Sequence, residues 1–361
     1  MECSKDTINA RRGPCRPLRY NDSVQRVCIV PEVGNVGGMA SFRRKFEAGL
    51  SRRGIEVSHQ IGSASDPILI IGGTKNLLPL WRARRRGARI VQRLDGINWI
   101  HRKRNTGVRH YLRAEYGNLI LAAIRARIAG RIVYQSEFSR AWWDDWYGRT
   151  RASCSVVLNG VDLYEYRPAQ EDKRPAGRCR LLVVEGSLGG GYDMGLDNAV
   201  RLAETLAEDY GFPMELMVVG RITEEHRARV QVGARVPLIW AGVLPQADIP
   251  NMMRSAHALF SADLHPACPN SVIEALACGL PVVAFDTGSL RELVDGDAGC
   301  IVPYVGDPWK IETPDVPALA EAAAEMLRDW PRFSHGARLQ AEEHLGLDRM
   351  IDGYLKALLE A

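Results

Sequence analysis

The sequence predicts two doubly wound α/β domains facing each other across a cleft, and three observations carry that prediction. At 361 residues the chain exceeds what one hydrophobic core usually fills. From Arg26 onward, short β-rich runs alternate with helical patterns, the signature of a parallel sheet wound by helices, and this alternation occurs twice. Between the two runs lies Arg-Pro-Ala-Gln-Glu-Asp-Lys-Arg-Pro-Ala-Gly at 167–177, a charged, Pro/Gly-rich stretch suited to a linker.

The elements follow in order. Residues 1–23 carry Arg and Pro without an apolar stretch, so they are expected to form a loose arm rather than a secretory leader. The first domain, 24–166, reads as strands near 26–30, 56–60, 68–71, 89–94, 131–134 and 154–157, with helices near 39–53 and 109–129. After the linker, the second domain, 178–340, reads as strands near 180–184, 215–219, 237–241, 258–261, 281–285 and 300–302. Its helices fall near 194–208, 224–232, 272–278 and 317–328. A terminal helix over 341–361 could pack back on the first domain. In sheets of this kind ligands bind beyond the carboxyl ends of the strands, so the loops after the strands matter most.

Composition narrows the function. The chain has 46% hydrophobic and 25% charged residues, as in an ordinary globular protein, and its apolar runs are far too short to cross a bilayer. A cytoplasmic location is expected. The eight cysteines are scattered without metal-ligand spacing, which argues against structural zinc and for small buried thiols. Net charge is +4, yet residues 1–165 carry 29 Lys/Arg against 14 Asp/Glu, and the remainder 18 against 29. The excess gathers in Arg82, Arg84, Arg85 and Arg86, and again in Arg102, Lys103 and Arg104, with Arg109 and Arg113 following. Such clusters suit an anionic membrane face, with Trp81 and Trp99 nearby as interfacial anchors, or a solvated helix surface. Nucleic acid is not an expected partner, because no aromatic platform accompanies the charge.

The most informative stretch is residues 265–283. A strand ends, a Pro-containing loop turns, and a helix begins at Asn270 or Ser271, both good N-cap residues. The amides of the first turn, Asn270 to Val272, would present partial positive charge suited to a diphosphate. Glu274, one turn in, can accept two hydrogen bonds from vicinal hydroxyls such as those of a ribose. Capping and dipole compensation are the plainer roles for the same residues.

The run Glu274-Ala-Leu-Ala-Cys-Gly-Leu-Pro-Val-Val283, preceded by Pro269-Asn270, resembles the motif of the retaining family 4 glycosyltransferases. Gly37-Gly38-Met39-Ala40 looks like that family's glycine-rich first loop, where backbone approaches the sugar diphosphate closely. Asn159-Gly160-Val161-Asp162 with Arg167-Pro168 is similar to its segment before the interdomain linker, although an Asn-Gly turn is also a structural device. Tyr134 to Ser139 resembles a strand-to-helix junction of the family, with Ser136 expected to cap the helix.

The resemblance implies a glycosyltransferase B fold of two Rossmann-like domains, with a nucleotide-diphosphate sugar as donor and a hydroxyl compound as acceptor. It also implies transfer with retention and no metal or other cofactor. The implied donor-binding residues are Gly37, Gly38, Asn270, Ser271, Val272 and Glu274.

Three departures bear on the mechanism. The family's first glutamate, eight residues before Glu274, is Pro266 here, with Asp263 and His265 nearby. The Arg and Lys that neutralise the diphosphate fall at Ser187 and Met194. Gly190, Gly191 and Arg221 are the expected substitutes, two through backbone amides and one through charge. Where the family often has a catalytic-site His, Asp95 is the candidate catalytic residue. These losses keep a catalytically impaired nucleotide-sugar-binding relative in view as an alternative, beside an epimerase or hydrolase on the same fold.

Overall fold

The computed structural model describes residues 26–32, 37–62, 66–189 and 193–360. The expected N-terminal arm and the candidate residues Gly190 and Gly191 lie outside the described residues.

The first sheet comprises β1 (Arg26–Val30), β2 (Glu56–Ser58), β3 (Ile68–Ile71), β4 (Ile90–Leu94), β5 (Arg131–Tyr134) and β6 (Ser153–Val156). All pairings are parallel, in the order β2-β1-β3-β4-β5-β6. Its helices are α1 (Gly38–Arg52), α2 (Leu77–Arg85), α3 (Val108–Arg127) and α4 (Glu137–Tyr147). Alternate strand residues serve opposite faces. Val27, Ile29, Leu69 and Ile71 meet Phe42 and Phe46 of α1, whereas Cys28, Ile68, Ile70 and Ile90 meet α2, α3 and α4. Burial on both faces explains why these strands read as continuous β-branched runs.

The second sheet contains β7 (Cys179–Ser187), β8 (Met214–Arg221), β9 (Leu238–Gly242), β10 (Ala258–Phe260), β11 (Val282–Asp286) and β12 (Gly299–Pro303). It is also parallel, in the order β12-β11-β10-β7-β8-β9. Around it lie α5 (Asp193–Glu208), α6 (Glu224–Gly233), α7 (Ile249–Arg254), α8 (Asn270–Ala277), α9 (Leu290–Leu293), α10 (Val316–Arg328) and α11 (Trp330–His344). The last helix, α12 (Leu347–Leu359), leaves this domain and packs on the first sheet, where Tyr354 meets the rings of Phe42 and Phe46.

The chain therefore passes between the sheets twice, and the two passages touch. The Val161 amide donates to the Leu345 carbonyl and the Leu347 amide to the Val161 carbonyl, both at 2.9 Å. Gly160 serves this crossing through space rather than through a turn. A Cβ there would stand 2.8 Å from Leu347 Cα, closer than side chains approach. The domains also meet where Glu292 of α9 accepts from the amides of Glu137 (2.7 Å) and Phe138 (2.8 Å), capping α4. Ser136 caps the same helix as expected, accepting from the Ser139 amide at 3.0 Å. Of the described cysteines, Cys28, Cys179, Cys268 and Cys278 are buried, while Cys154 is exposed at the edge strand β6, against the expectation of buried thiols. Among the described residues no helix is long and apolar enough to cross a membrane.

Candidate active site

Strand order reverses between β1 and β3 in the first sheet and between β7 and β10 in the second. The loops leaving these strands open a crevice at each switch point. Both crevices merge into one cleft of about 1180 Å³, lined by Gly37 and Gly38 after β1, Glu185 near the end of β7 and Asp263 after β10. Gly37 has φ 98°, a conformation that favours glycine, and a Cβ on Gly38 would lie 3.9 Å from the side-chain Nδ2 of Asn270. The glycine loop of one domain thus reaches the helix start of the other.

Helix α8 begins at Asn270, as the sequence indicates, but neither Asn270 nor Ser271 caps it. Pro269 occupies the cap position and no side chain bonds the first turn. The amides of Asn270, Ser271 and Val272 have no intrahelical acceptor, and Asn270 and Ser271 line the cleft. An uncapped helix start leaves those donors to a ligand.

Glu274 also lines the cleft and is almost buried. Lys45 of α1 reaches across the interface to it, with Nζ 3.2 Å from Oε1 and 3.2 Å from the Gly160 carbonyl. Burial pushes the Glu274 carboxyl above its ordinary pKa, and the Lys45 ammonium opposes that rise. One carboxylate oxygen is held by the first domain. Sequence reasoning missed Lys45, because it sits among Arg43, Arg44 and Glu47 on an amphipathic helix and no local signal sets it apart.

Arg221 ends β8 on the cleft wall and stands in register with Ser187 at the end of β7. The cation absent from position 187 is therefore present one strand away. Met194 lies in the first turn of α5 and packs against the core of the first domain. Glu185 and Asp263 face the same floor. Burial, with Asp263 nearby, raises Glu185 to about 8, and burial raises Asp263 as well. Acids kept neutral can donate a hydrogen bond to an anion rather than repel it.

Asp95 follows β4 and borders the cleft half-buried. Its carbonyl accepts from Ser139 Oγ at 3.0 Å and Trp143 Nε1 at 2.7 Å, which fixes the backbone. Burial raises the Asp95 carboxyl pKa against the pull of Arg93. Arg93 in turn bonds Asn159 (3.1 Å), whose side-chain amide donates to the Cys268 carbonyl of the second domain at 2.9 Å.

Pro266 touches the same wall without offering a polar side chain, and its carbonyl is taken by the Ser289 amide at 2.9 Å. His265 is buried with its ring stacked 3.6 Å from Trp309, and burial lowers its pKa to about 4. The ring also meets Trp99 and Trp142, so an aromatic group closes the base of the interface. That packing was not legible in the sequence, which offered His265 only as a polar neighbour.

With this geometry in view, residues 180–329 match the family described as "Glycosyl transferases group 1". The second domain is a group 1 glycosyltransferase domain. The chain has the glycosyltransferase B fold. It superposes with a TM-score of 0.70 on sucrose-phosphate synthase from Thermosynechococcus elongatus, at 17% identity over 91% of this chain and 97% of that one. Against WaaG, a glycosyltransferase involved in lipopolysaccharide biosynthesis, the TM-score is 0.68 at 13% identity, over 93% of this chain and 100% of that one. Anabaena HepE, solved with UDP and glucose, gives 0.65 at 16% identity, over 92% of this chain and 99% of that one. Among curated sequences, the Streptomyces fradiae 2-deoxystreptamine N-acetyl-D-glucosaminyltransferase is 30% identical over 48% of this chain and 39% of its own length. The Rhizobium meliloti lipopolysaccharide core mannosyltransferase LpsB is 28% identical over 52% and 55% respectively. The chain thus spans well under two thirds of either relative.

Proposed function

We propose that this chain is a glycosyltransferase that moves a sugar from a nucleotide-diphosphate donor to a hydroxyl acceptor with retention, without a metal. The observation that carries the proposal is the uncapped start of α8, with Glu274 one turn in, facing Gly37 and Gly38 across the cleft. That arrangement offers amides to a diphosphate and a carboxylate to a ribose. The solved relative with UDP and glucose bound supports the same donor class.

In this reading the bond between the anomeric carbon and the donor phosphate opens onto the amides of Asn270 to Val272, with Arg221 meeting the developing charge. The acceptor oxygen attacks the anomeric carbon from the same face, and its proton passes to a donor phosphate oxygen. The protein supplies position and electrostatics. Asp95, on the wall formed by the first domain, positions a sugar or acceptor hydroxyl. Domain closure over residues 167–177 excludes water that would hydrolyse the donor. A cytoplasmic location suits nucleotide sugars as donors.

A thermal-shift screen of nucleoside diphosphates and nucleotide sugars tests donor binding, because a ligand that binds the folded state raises the melting temperature. Product anomers read by NMR then test retention. Turnover is expected to survive EDTA, and loss restored by added Mg or Mn would overturn the metal-free part. Stabilisation by a nucleotide sugar with neither transfer nor hydrolysis would favour a binding protein that has lost catalysis through Pro266 and Met194.

A further inference from the structure

Helix α3 does not bury the apolar stripe that its sequence writes. Val108, Leu112, Tyr116 and Leu119 recur at helical spacing along one face, and they are 76, 63, 53 and 60% exposed. Tyr111 borders them, also exposed. Single exposed apolar residues are ordinary, but a contiguous row of them marks a surface with a partner. On the same side of the sheet, α2 adds exposed Leu78 and Trp81, and Arg84 of α2 bonds the Arg127 carbonyl at the end of α3.

Charge decides which partner. Arg109 and Arg113 flank the α3 stripe, and Arg82, Arg85 and Arg86 are exposed around Trp81, with the Arg85 guanidinium 4.8 Å over its ring. The one carboxylate within the α3 stripe, Glu115, is occupied by Arg102 at 2.8 Å and His101 at 2.8 Å. An apolar row edged by cations, with its acid neutralised, has the amphipathic form that lies in the headgroup region of an anionic bilayer. Arg113 and Tyr116 also line the cleft, so the face runs up to its mouth.

This surface keeps the first of the two basic clusters that the sequence singles out, around Trp81, and leaves out the second. Arg102 is engaged with Glu115, Arg104 stands 3.6 Å from Asp193, and Trp99 is buried in the core. We propose that the exposed face of α2 and α3 docks on an anionic lipid surface and sets the acceptor side of the cleft against it. The proposal goes beyond glycosyl transfer and does not depend on turnover.

The test is sedimentation of the full chain with vesicles of equimolar phosphatidylcholine and phosphatidylglycerol, beside vesicles of phosphatidylcholine alone. Binding to the anionic vesicles only is expected, weakening as salt rises. Arg82→Glu with Arg85→Glu should lower partitioning about tenfold or more. Val108→Ser, Leu112→Ser and Leu119→Ser together should lower it comparably, with circular dichroism and the melting temperature unchanged because all three are exposed. Equal partitioning into both vesicles, no partitioning, or wild-type binding by the triple serine variant would each overturn the proposal. So would a dimer in sedimentation velocity that the triple variant dissolves, since a second copy would then cover the face.

Discussion

Replacing Lys45 with Met removes the only ammonium bonded to Glu274 among the described residues while keeping most of the side chain's volume. The side chains of Lys45 and Glu274 are 13 and 9% exposed, so little water replaces the lost partner. Removing one member of a buried pair typically costs 3–5 kcal/mol. Because this pair borders an open cleft, about 3 kcal/mol is the expected loss in denaturant unfolding. The pH dependence has a definite sign. Burial already raises the folded-state pKa of Glu274, and Lys45 holds it down, so Lys45→Met raises it further. A carboxyl with a raised folded pKa loses stability as pH climbs through that pKa. The deficit relative to wild type should therefore be small in acid and deepen toward neutral pH. Adding Glu274→Gln should recover part of it, giving a coupling in the double-mutant cycle, and Lys45→Arg should recover part as well. Unchanged stability in Lys45→Met, or additive losses in the double variant, would refute the pairing.

Other predictions follow from the same geometry. Glu274→Ala should weaken nucleoside diphosphate binding by about 1.5–3 kcal/mol in calorimetry, and a 2′-deoxy nucleotide should lose less from the substitution than the ribonucleotide. Diphosphate affinity should fall as pH rises through about 8, where Glu185 gains charge on the cleft floor, and Glu185→Gln should flatten that fall. A pH profile that keeps its shape in Glu185→Gln would remove Glu185 from the donor site. Gly160→Ala should destabilise by about 1–3 kcal/mol in chemical unfolding, because the new Cβ meets backbone at Leu347 that cannot yield.

Much of the architecture was legible because parallel strands buried on both faces write themselves as β-branched runs, as in Ile68 to Ile71 and Val282 to Phe285. The segment around the start of α8 was legible for a local reason: the strand, loop, helix start and Glu274 are consecutive in the chain. What escaped depends on which distant residues meet. Lys45 and Glu274 are separated by 229 positions, and Glu292 caps a helix 154 to 155 positions away. The cap of α8 was misassigned by one residue, since Asn270 has the chemistry of a cap but Pro269 holds the place. The Asn-Gly at 159–160 looked like a turn and is instead a close approach between the two chain passages.

The departures from the family pattern become coherent when the floor of the cleft is taken as one electrostatic unit. In the proposed reaction a diphosphate leaving group brings negative charge that the site must meet. Ser187 and Met194 offer that charge no cation, although Arg44, Lys75, Arg113 and Arg221 line the same cleft. Burial shifts Glu185 and Asp263 toward their neutral forms, and Arg221 stands in register beside Ser187. The floor therefore carries one guanidinium and two acids whose charge burial disfavours, while the uncapped helix presents its first amides from the adjoining wall. Pro266 offers that wall no carboxylate and so adds no repulsion there. On the proposed function, adding a cation at the end of β7 by Ser187→Arg should tighten diphosphate binding. If affinity instead stays level in Ser187→Arg, the phosphates do not pass over the ends of β7 and β8, and the donor lies deeper toward Asp95.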